Sequence, residues 1–279
     1  MSDPKVFLIT GVSSGLGKAF AEGALAAGHR VIGTVRSAEA ASAFSSHPTS
    51  HAHAVVLDVT NFGAIPDGVT KAEHEVGPID VLVNNAGYGH EGILEETTLE
   101  DVQRQFDANV FGAVAMIKAV LPGMRARRSG RIINVTSMGG FITMPGITAY
   151  CGSKFALEGI SEALGKEVKP LGIYVTALAP GQFRTDWAGR SMVRAERSIV
   201  DYNAVMDPIR AARQAKSGRQ PGDPAKAAQA LLKLVGSDNP PVRLYLGADA
   251  LKLVEDKIEA MKAEIAEWEA LSLSTDFDA

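Results

Sequence analysis

Along the chain, short runs of apolar and β-branched residues alternate with longer stretches whose apolar positions recur at intervals of three and four. The strand-like runs fall at 5–9, 30–35, 53–58, 81–84, 131–136, 173–179 and 242–246. Several are apolar almost without a break, such as Val6-Phe7-Leu8-Ile9 and Ile132-Ile133-Asn134-Val135, as expected of strands covered on both faces. The alternation predicts a doubly wound α/β (Rossmann) fold, about seven parallel strands with helices on both sides. Sheets of this kind bind ligands beyond the carboxyl ends of their strands. Gly11, Asp58, Asn85, Ser137 and Pro180 all fall at such ends, so one cleft is expected to gather them.

The remaining pattern fills in the organisation. Residues 149–164 read as a helix. The longest strongly apolar stretch, 110–122, contains Lys118 and is too short to span a bilayer, so it reads as a buried or interface helix. No repeat or linker divides residues 1–279, which predicts a single domain. Residues 182–224 keep no steady period and contain Pro208, Pro221 and Pro224. Over 250–271 the spacing of Leu251, Val254, Ile258, Met261, Ile265 and Trp268 predicts an amphipathic helix. Its other face carries acidic residues as well as lysines, so it is expected to cap the core or a neighbouring subunit rather than lie on a membrane.

At 46% hydrophobic and 22% charged, 279 residues supply an ample core. The net charge of −4 gives no basic excess to attract nucleic acid or an anionic membrane, and neither partner is expected. The first ten residues lead directly into a strand without the pattern of a secretory signal, so the expected location is cytoplasmic. The single cysteine, Cys151, can form no internal disulfide, which fits a reducing compartment. Neighbouring helix positions point about 100 degrees apart. Cys151 is therefore read as a packed thiol, not a partner in chemistry with Tyr150.

The chemistry lies in two local patterns. Thr10-Gly11-Val12-Ser13-Ser14-Gly15-Leu16-Gly17 makes a glycine-rich turn from a strand into a helix, where backbone amides and the helix dipole can meet a pyrophosphate and Ser13 and Ser14 add hydroxyls. Tyr150 and Lys154, four apart, project from one helix face about a turn apart. An ammonium beside a phenol is expected to lower the phenol pKa from about 10 and make Tyr150 a general acid.

With Asn84-Asn85-Ala86-Gly87, Ser137 at the usual distance ahead of Tyr150, and Pro180-Gly181 followed by Thr185, these patterns resemble the short-chain dehydrogenase/reductase family over about residues 5–247. Within it the chain is most similar to the branch holding 17β-hydroxysteroid and retinol dehydrogenase-like enzymes. The resemblance implies an oxidoreductase that interconverts a hydrophobic ketone or aldehyde and its alcohol. Ser137 and Tyr150 would hold the carbonyl oxygen, and Lys154 the nicotinamide ribose. Asn109 matches the family's helix-kinking asparagine, read either as a relay anchor or as an amide satisfying helix backbone. Asp58 would contact adenine, and Val59, Asn85, Ala86, Gly87, Pro180, Gly181 and Thr185 would line the cofactor. No metal site is assigned.

The second strand ends in Val35-Arg36, with no carboxylate for ribose hydroxyls and a guanidinium for a 2′-phosphate, so NADP(H) is favoured over NAD(H). Ser14 weighs slightly against this, because many NADP-preferring relatives carry a basic residue there. Residues 182–224 match the family's substrate loop. Met138, Met144, Trp187 and Met192 are candidate walls of an apolar pocket, and each also fits a core position. His90 is a candidate substrate contact whose alternative is a solvated loop histidine. The family's habit of packing long helices against symmetry mates implies a homodimer or homotetramer, with 110–120 and 155–164 as the faces. Two other functions share the cleft: a cofactor-sensing protein without turnover, and an epimerase or dehydratase.

Overall fold

The structure, a computed structural model, describes residues 3–187, 189 and 191–277. Seven parallel strands form the sheet: β1 (Val6–Thr10), β2 (Arg30–Val35), β3 (Ala52–Val56), β4 (Val81–Asn84), β6 (Gly130–Val135), β7 (Ile173–Pro180) and β9 (Arg243–Leu246). Their spatial order is β3-β2-β1-β4-β6-β7-β9. A separate parallel pair joins β5 (Gly89–Glu91) to β8 (Met192–Arg194). The expected boundaries are met to within one or two residues.

Alternate residues of each strand enter opposite cores, which explains the unbroken apolar runs. Phe7 and Ile9 join the cluster on one face with Phe20 and Leu25 of α1 (Gly15–Ala26) and Leu231 and Leu234 of α8 (Pro224–Val235). Val6 and Leu8 join the other face. There they meet Ile65 and Val69 of α3 (Ile65–Val76) and Met116, Val120 and Met124 of α5 (Gly112–Arg127). Truncating a fully buried side chain such as Phe7 to alanine is expected to cost about 3–5 kcal/mol. The remaining helices are α2 (Ala38–Ser45), α4 (Leu99–Phe106), α6 (Thr148–Val168), α7 (Asn203–Lys216) and α9 (Ala248–Leu273).

One expectation needs correction, and two are filled in. The helix expected at 110–122 is part of a continuous helical stretch, Leu99–Arg127, because Pro122 lies inside α5 without ending it. By length and composition alone this stretch could cross a membrane. Its residues Met116, Ile117, Val120 and Met124 are buried against the sheet, while Phe111 is exposed. Second, the aperiodic 182–224 segment holds β8 and α7; Pro208 within α7 obscured its period. Third, the C-terminal helix caps the core only through Ala250 and Val254, and the rest of its apolar stripe is exposed.

Candidate active site

The glycine-rich turn leaves β1 with Gly11 at a positive φ of 73°, a conformation available to glycine at little cost. At Gly17 a Cβ would lie 2.3 Å from both the Gly11 carbonyl oxygen and Asn85 Nδ2, so only glycine lets α1 approach this closely. Ser14 precedes α1 without a side-chain cap, and the first turn holds no acidic residue. The helix N-terminus thus offers amides and a positive dipole to an anion, with the Ser13 and Ser14 hydroxyls beside it. These features fit the pyrophosphate of a dinucleotide.

Asn85 braces this cradle from the neighbouring strand. Its Nδ2 donates to the carbonyls of Thr10 at 2.9 Å and Gly11 at 3.3 Å. The backbone N–H groups of Asn85 and Ala86 both donate to Thr10 Oγ1 at 2.9 Å. Thr10, part of the glycine motif, is therefore the pin that joins β1 to the β4 loop. Leu16 is turned partly into the core, so it packs the cradle from beneath. Thr185 comes near enough that a Cβ on Gly15 would lie 3.9 Å from its own. Past β7, Gly181 donates to the Leu246 carbonyl at 2.8 Å, holding the loop after Pro180 against β9.

Arg36 is exposed immediately past β2, while Val35 is buried at 2% exposure in the core. Asp58 is exposed past β3 and accepts from Thr60 N at 2.9 Å and Thr60 Oγ1 at 2.8 Å. Val59 is buried in the core beside it.

Ser137, at the carboxyl end of β6, is buried and accepts from Gly139 N at 3.0 Å. Tyr150 and Lys154 on α6 are buried beside it. Lys154 Nζ donates to the Val135 carbonyl at 2.8 Å and lies 5.8 Å from the centre of the Tyr150 ring. Burial lowers the Lys154 pKa to about 8, with Glu158 opposing. Burial pushes the Tyr150 phenol up to about 12, with the Ser137 hydroxyl opposing. The expected lowering of the phenol pKa by Lys154 is thus corrected: desolvation governs this tyrosine.

Asn109 lies in a π-helical turn, Asp107–Phe111, between α4 and α5. Its Oδ1 accepts from Tyr88 N at 3.1 Å, and its Nδ2 donates to the Tyr88 carbonyl and to Ser153 Oγ, both at 3.1 Å. Ser153 Oγ in turn donates to the Tyr150 carbonyl at 2.7 Å. The Asn109 amide therefore ties the loop after Gly87 to the helix carrying Tyr150, and the backbone it satisfies is that of the loop, not of its own helix.

Trp187 stacks at a tilt on Tyr150, with ring centres 5.2 Å apart. With Met192 it also packs on Gly89, where a Cβ would lie 2.7 Å from the indole and 3.0 Å from the methionine methyl. Met144 touches the Tyr150 and Cys151 cluster, whereas Met138 belongs to a small core cluster with Ile142, Ala250 and Val254. Cys151 is a buried thiol whose pKa burial raises.

His90 is neither solvated nor in a loop. It is 2% exposed on β5, its Nε2 is 3.9 Å from Asp101 Oδ2, and burial lowers its pKa. Beside it the buried Glu91 carboxylate accepts from Arg210 Nε at 2.7 Å and Arg213 Nη1 at 2.6 Å, fastening α7 over β5. Nothing in the local sequence signals this clamp, whose partners lie over a hundred residues away.

The short chain dehydrogenase family model matches residues 5–194, and the chain belongs to that family. It is 38% identical over 272 residues to an oxidoreductase of Botryotinia fuckeliana, BOA17, covering 97% of this chain and 99% of that one. It is 39% identical over 246 residues to 3-ketodihydrosphingosine reductase of Bacteroides thetaiotaomicron, covering 88% of each. Among solved structures, a short-chain dehydrogenase of Streptomyces avermitilis superposes with a TM-score of 0.92 at 41% identity, covering 99% of this chain and all of that one. The protein is an oxidoreductase of this family.

Proposed function

We propose that the protein is an NADP(H)-dependent carbonyl reductase or alcohol dehydrogenase acting on a hydrophobic ketone or aldehyde and its alcohol. The observation that carries the reading is Tyr150, a buried phenol near Ser137 and Lys154 that also faces the apolar Trp187. NADPH, when bound, supplies the hydride. The Ser137 hydroxyl donates a hydrogen bond to the substrate oxygen, and Tyr150 transfers its phenolic proton to that oxygen as the carbonyl carbon is reduced. A phenol with a pKa of about 12 keeps its proton at neutral pH and releases it to the strongly basic alkoxide. Lys154 holds the nicotinamide ribose, the α1 amides with Ser13 and Ser14 hold the pyrophosphate, and Arg36 holds the 2′-phosphate. Trp187, Met192 and Met144 give the substrate side its apolar wall. The name of the Bacteroides relative, a ketone reductase, supports the ketone as oxidised substrate.

The test is a panel of ketones, aldehydes and alcohols with NADPH and NADP. Net NADPH consumption with a ketone supports this reading and excludes an epimerase or dehydratase, which would return its cofactor unchanged. Cofactor binding without turnover across the panel would favour a sensor.

A further inference from the structure

The ribbon of β5 and β8 carries charges that the reduction of a neutral ketone does not use. In the parallel pair Gly89 stands beside Met192, and Glu91 beside Arg194. Side chains two apart on a strand share a face, so these four residues line one side of the ribbon, with His90 and Val193 on the other. At its start that side is apolar: a Cβ on Gly89 would meet Trp187 and Met192, and Trp187 lies against Tyr150. Two residues further on it becomes ionic. Glu91 is buried and accepts from Arg210 and Arg213 of α7, while Arg194 Nε stands 3.5 Å from the same carboxylate.

Met206, Arg210 and Arg213 fall at i, i+4 and i+7, one face of α7. Met206 is buried against Gly146, where a Cβ would lie 2.6 Å from the methionine methyl. Arg213 Nη2 donates to the Pro145 carbonyl at 3.2 Å. This face is thereby pressed onto the loop that leads into Tyr150. Between it and the ribbon lies a cavity of about 150 Å³, lined by Glu91, Arg194, Arg210, Arg213, Gln214 and Ser217. Three guanidinium groups against one carboxylate leave this lining two positive charges in excess. Carboxylates on neighbouring elements do not line it. Glu96 accepts from the N–H groups of Ser198 and Ile199, and Asp207 pairs with Arg197. One arginine would neutralise Glu91, so fastening α7 does not account for the excess. Guanidinium groups match the oxygens of carboxylate, sulfonate and phosphate groups, and Gln214 and Ser217 add neutral donors.

We infer that the cavity takes an oxyanion, and that this oxyanion is the acidic far end of the substrate whose ketone lies at Tyr150. For the ketone end alone this rests on the reductase reading above. The step from Gly89 to Glu91 covers about 7 Å of strand. Added to the 5.2 Å between the Tyr150 and Trp187 ring centres, it puts the phenol and the arginines on the order of 10–15 Å apart. An extended chain covers roughly 1.2 Å per bond, so about eight to twelve bonds separate the ketone from the acid group. Trp187 and Met192 would cover the apolar chain between them. None of the cavity's residues belongs to the glycine-rich turn, so its charge does not serve the pyrophosphate.

The test is isothermal titration of the full chain, saturated with NADP, with 11-oxododecanoate, which sets about ten bonds between ketone and carboxylate, and with its methyl ester. The acid is expected to bind about tenfold or more tighter than the ester, the effect of charge-assisted hydrogen bonds. Gln214→Glu, which adds an opposing charge, and Arg194→Gln, which removes a favourable one, are each expected to cut this preference by about threefold or more. Together they should bring it to within about threefold of parity. Both leave Arg210 and Arg213 on Glu91, and the ester reports whether each variant keeps its fold and apolar wall. The proposal is overturned if wild type binds acid and ester alike, even where inorganic phosphate binds the arginines, since that outcome belongs to a free-anion site. It is overturned too if the variants keep the full preference. So it is if 4-oxopentanoate, too short to reach the arginines, gains as much over its own methyl ester, because the charge is then read beside Tyr150. The expected preference without NADPH consumption from either ketone supports the acid site and refutes the reductase reading instead.

Discussion

Lys154 Nζ bonds the Val135 carbonyl at 2.8 Å and stands 5.8 Å from the centre of the Tyr150 ring, so the ammonium is anchored to the sheet while facing the phenol. Burial gives this lysine a pKa of about 8. The ammonium is the form that can donate to ribose hydroxyls, and it predominates below that pH. NADPH binding to the protein should therefore be tightest below about pH 8 and weaken as Lys154 loses its proton above it. Titrating the dissociation constant by nucleotide fluorescence checks this. Lys154→Met should bind more weakly at neutral pH and lose the break, and an unchanged profile removes Lys154 from the cofactor site.

Tyr150 sets the pH dependence of turnover. With the phenol at about 12, reduction has its acid in place throughout the neutral range and should show no fall from Tyr150 deprotonation. Oxidation needs the phenolate and should rise toward high pH. Tyr150→Phe should lower kcat by about a hundredfold or more while leaving NADPH affinity within a few-fold. Retention of more than about a tenth of the wild-type rate, a barrier change of only about 1.4 kcal/mol, would refute its role as the acid.

Asn109 acts through the residues it ties together. Asn109→Ala removes three hydrogen bonds and strands the Tyr88 N–H, while the Tyr88 carbonyl keeps its bond from Gln105 Nε2 at 2.8 Å, at an expected cost of about 1–3 kcal/mol. Because Asn109 no longer donates to Ser153 Oγ, which itself bonds the Tyr150 carbonyl, kcat should fall while KM changes little. Thermal melting and steady-state kinetics on Asn109→Ala and Ser153→Ala check both. Ser153→Ala, which leaves the Tyr88 contacts intact, should be the milder variant.

The sheet was legible because alternate apolar residues such as Phe7 and Leu8 serve different cores, and that demand leaves an unbroken run in the sequence. The ends of those strands were legible for the same reason, and Gly11, Asn85, Ser137 and Pro180 stand at or just past the carboxyl ends of strands of one parallel sheet. Long-range effects were not legible. β5 and β8 are three residues each, too short for a period, and they bury His90 through a pairing between distant segments. The phenol pKa follows from burial and not from the four-residue spacing of Tyr150 and Lys154, so the local pattern pointed the wrong way. α9 has the amphipathic pattern of a core helix, but its stripe runs past the body of the fold after Val254.

Glu91 is expected to govern the stability of the segment over the cleft. Burial raises its pKa, but hydrogen bonds from Arg213 and Arg210 overcome this and hold it below the usual carboxylate range. A carboxylate lowered in the folded state contributes stability above its unfolded pKa and loses it as pH falls through the folded value. Acid should therefore loosen α7 before the main sheet. Glu91→Ala leaves three partly exposed arginines, Arg194, Arg210 and Arg213, without their shared carboxylate and should cost about 1–3 kcal/mol. Melting together with limited proteolysis checks this, with new cleavage expected between β8 and α7. Wild-type protease resistance would show that α7 docks without the clamp.

Cofactor choice is best probed at Arg36. Val35→Asp would introduce the carboxylate that reads ribose hydroxyls in NAD-binding relatives, but Val35 is 2% exposed in the core. A charge buried there costs several kcal/mol, so that variant mixes specificity with stability. Arg36 is exposed, and replacing it leaves the core intact. A charge-assisted contact to phosphate is worth about 1.5–3 kcal/mol, so Arg36→Ala should lower the kcat/KM ratio of NADPH over NADH by roughly ten- to a hundredfold. Most of the loss should fall in KM for NADPH, because the contact is the same before and during hydride transfer. Raising ionic strength should shrink the wild-type preference in the same direction. A wild type that already prefers NADH, or a ratio that moves less than about threefold in Arg36→Ala, would show that this guanidinium does not read the phosphate.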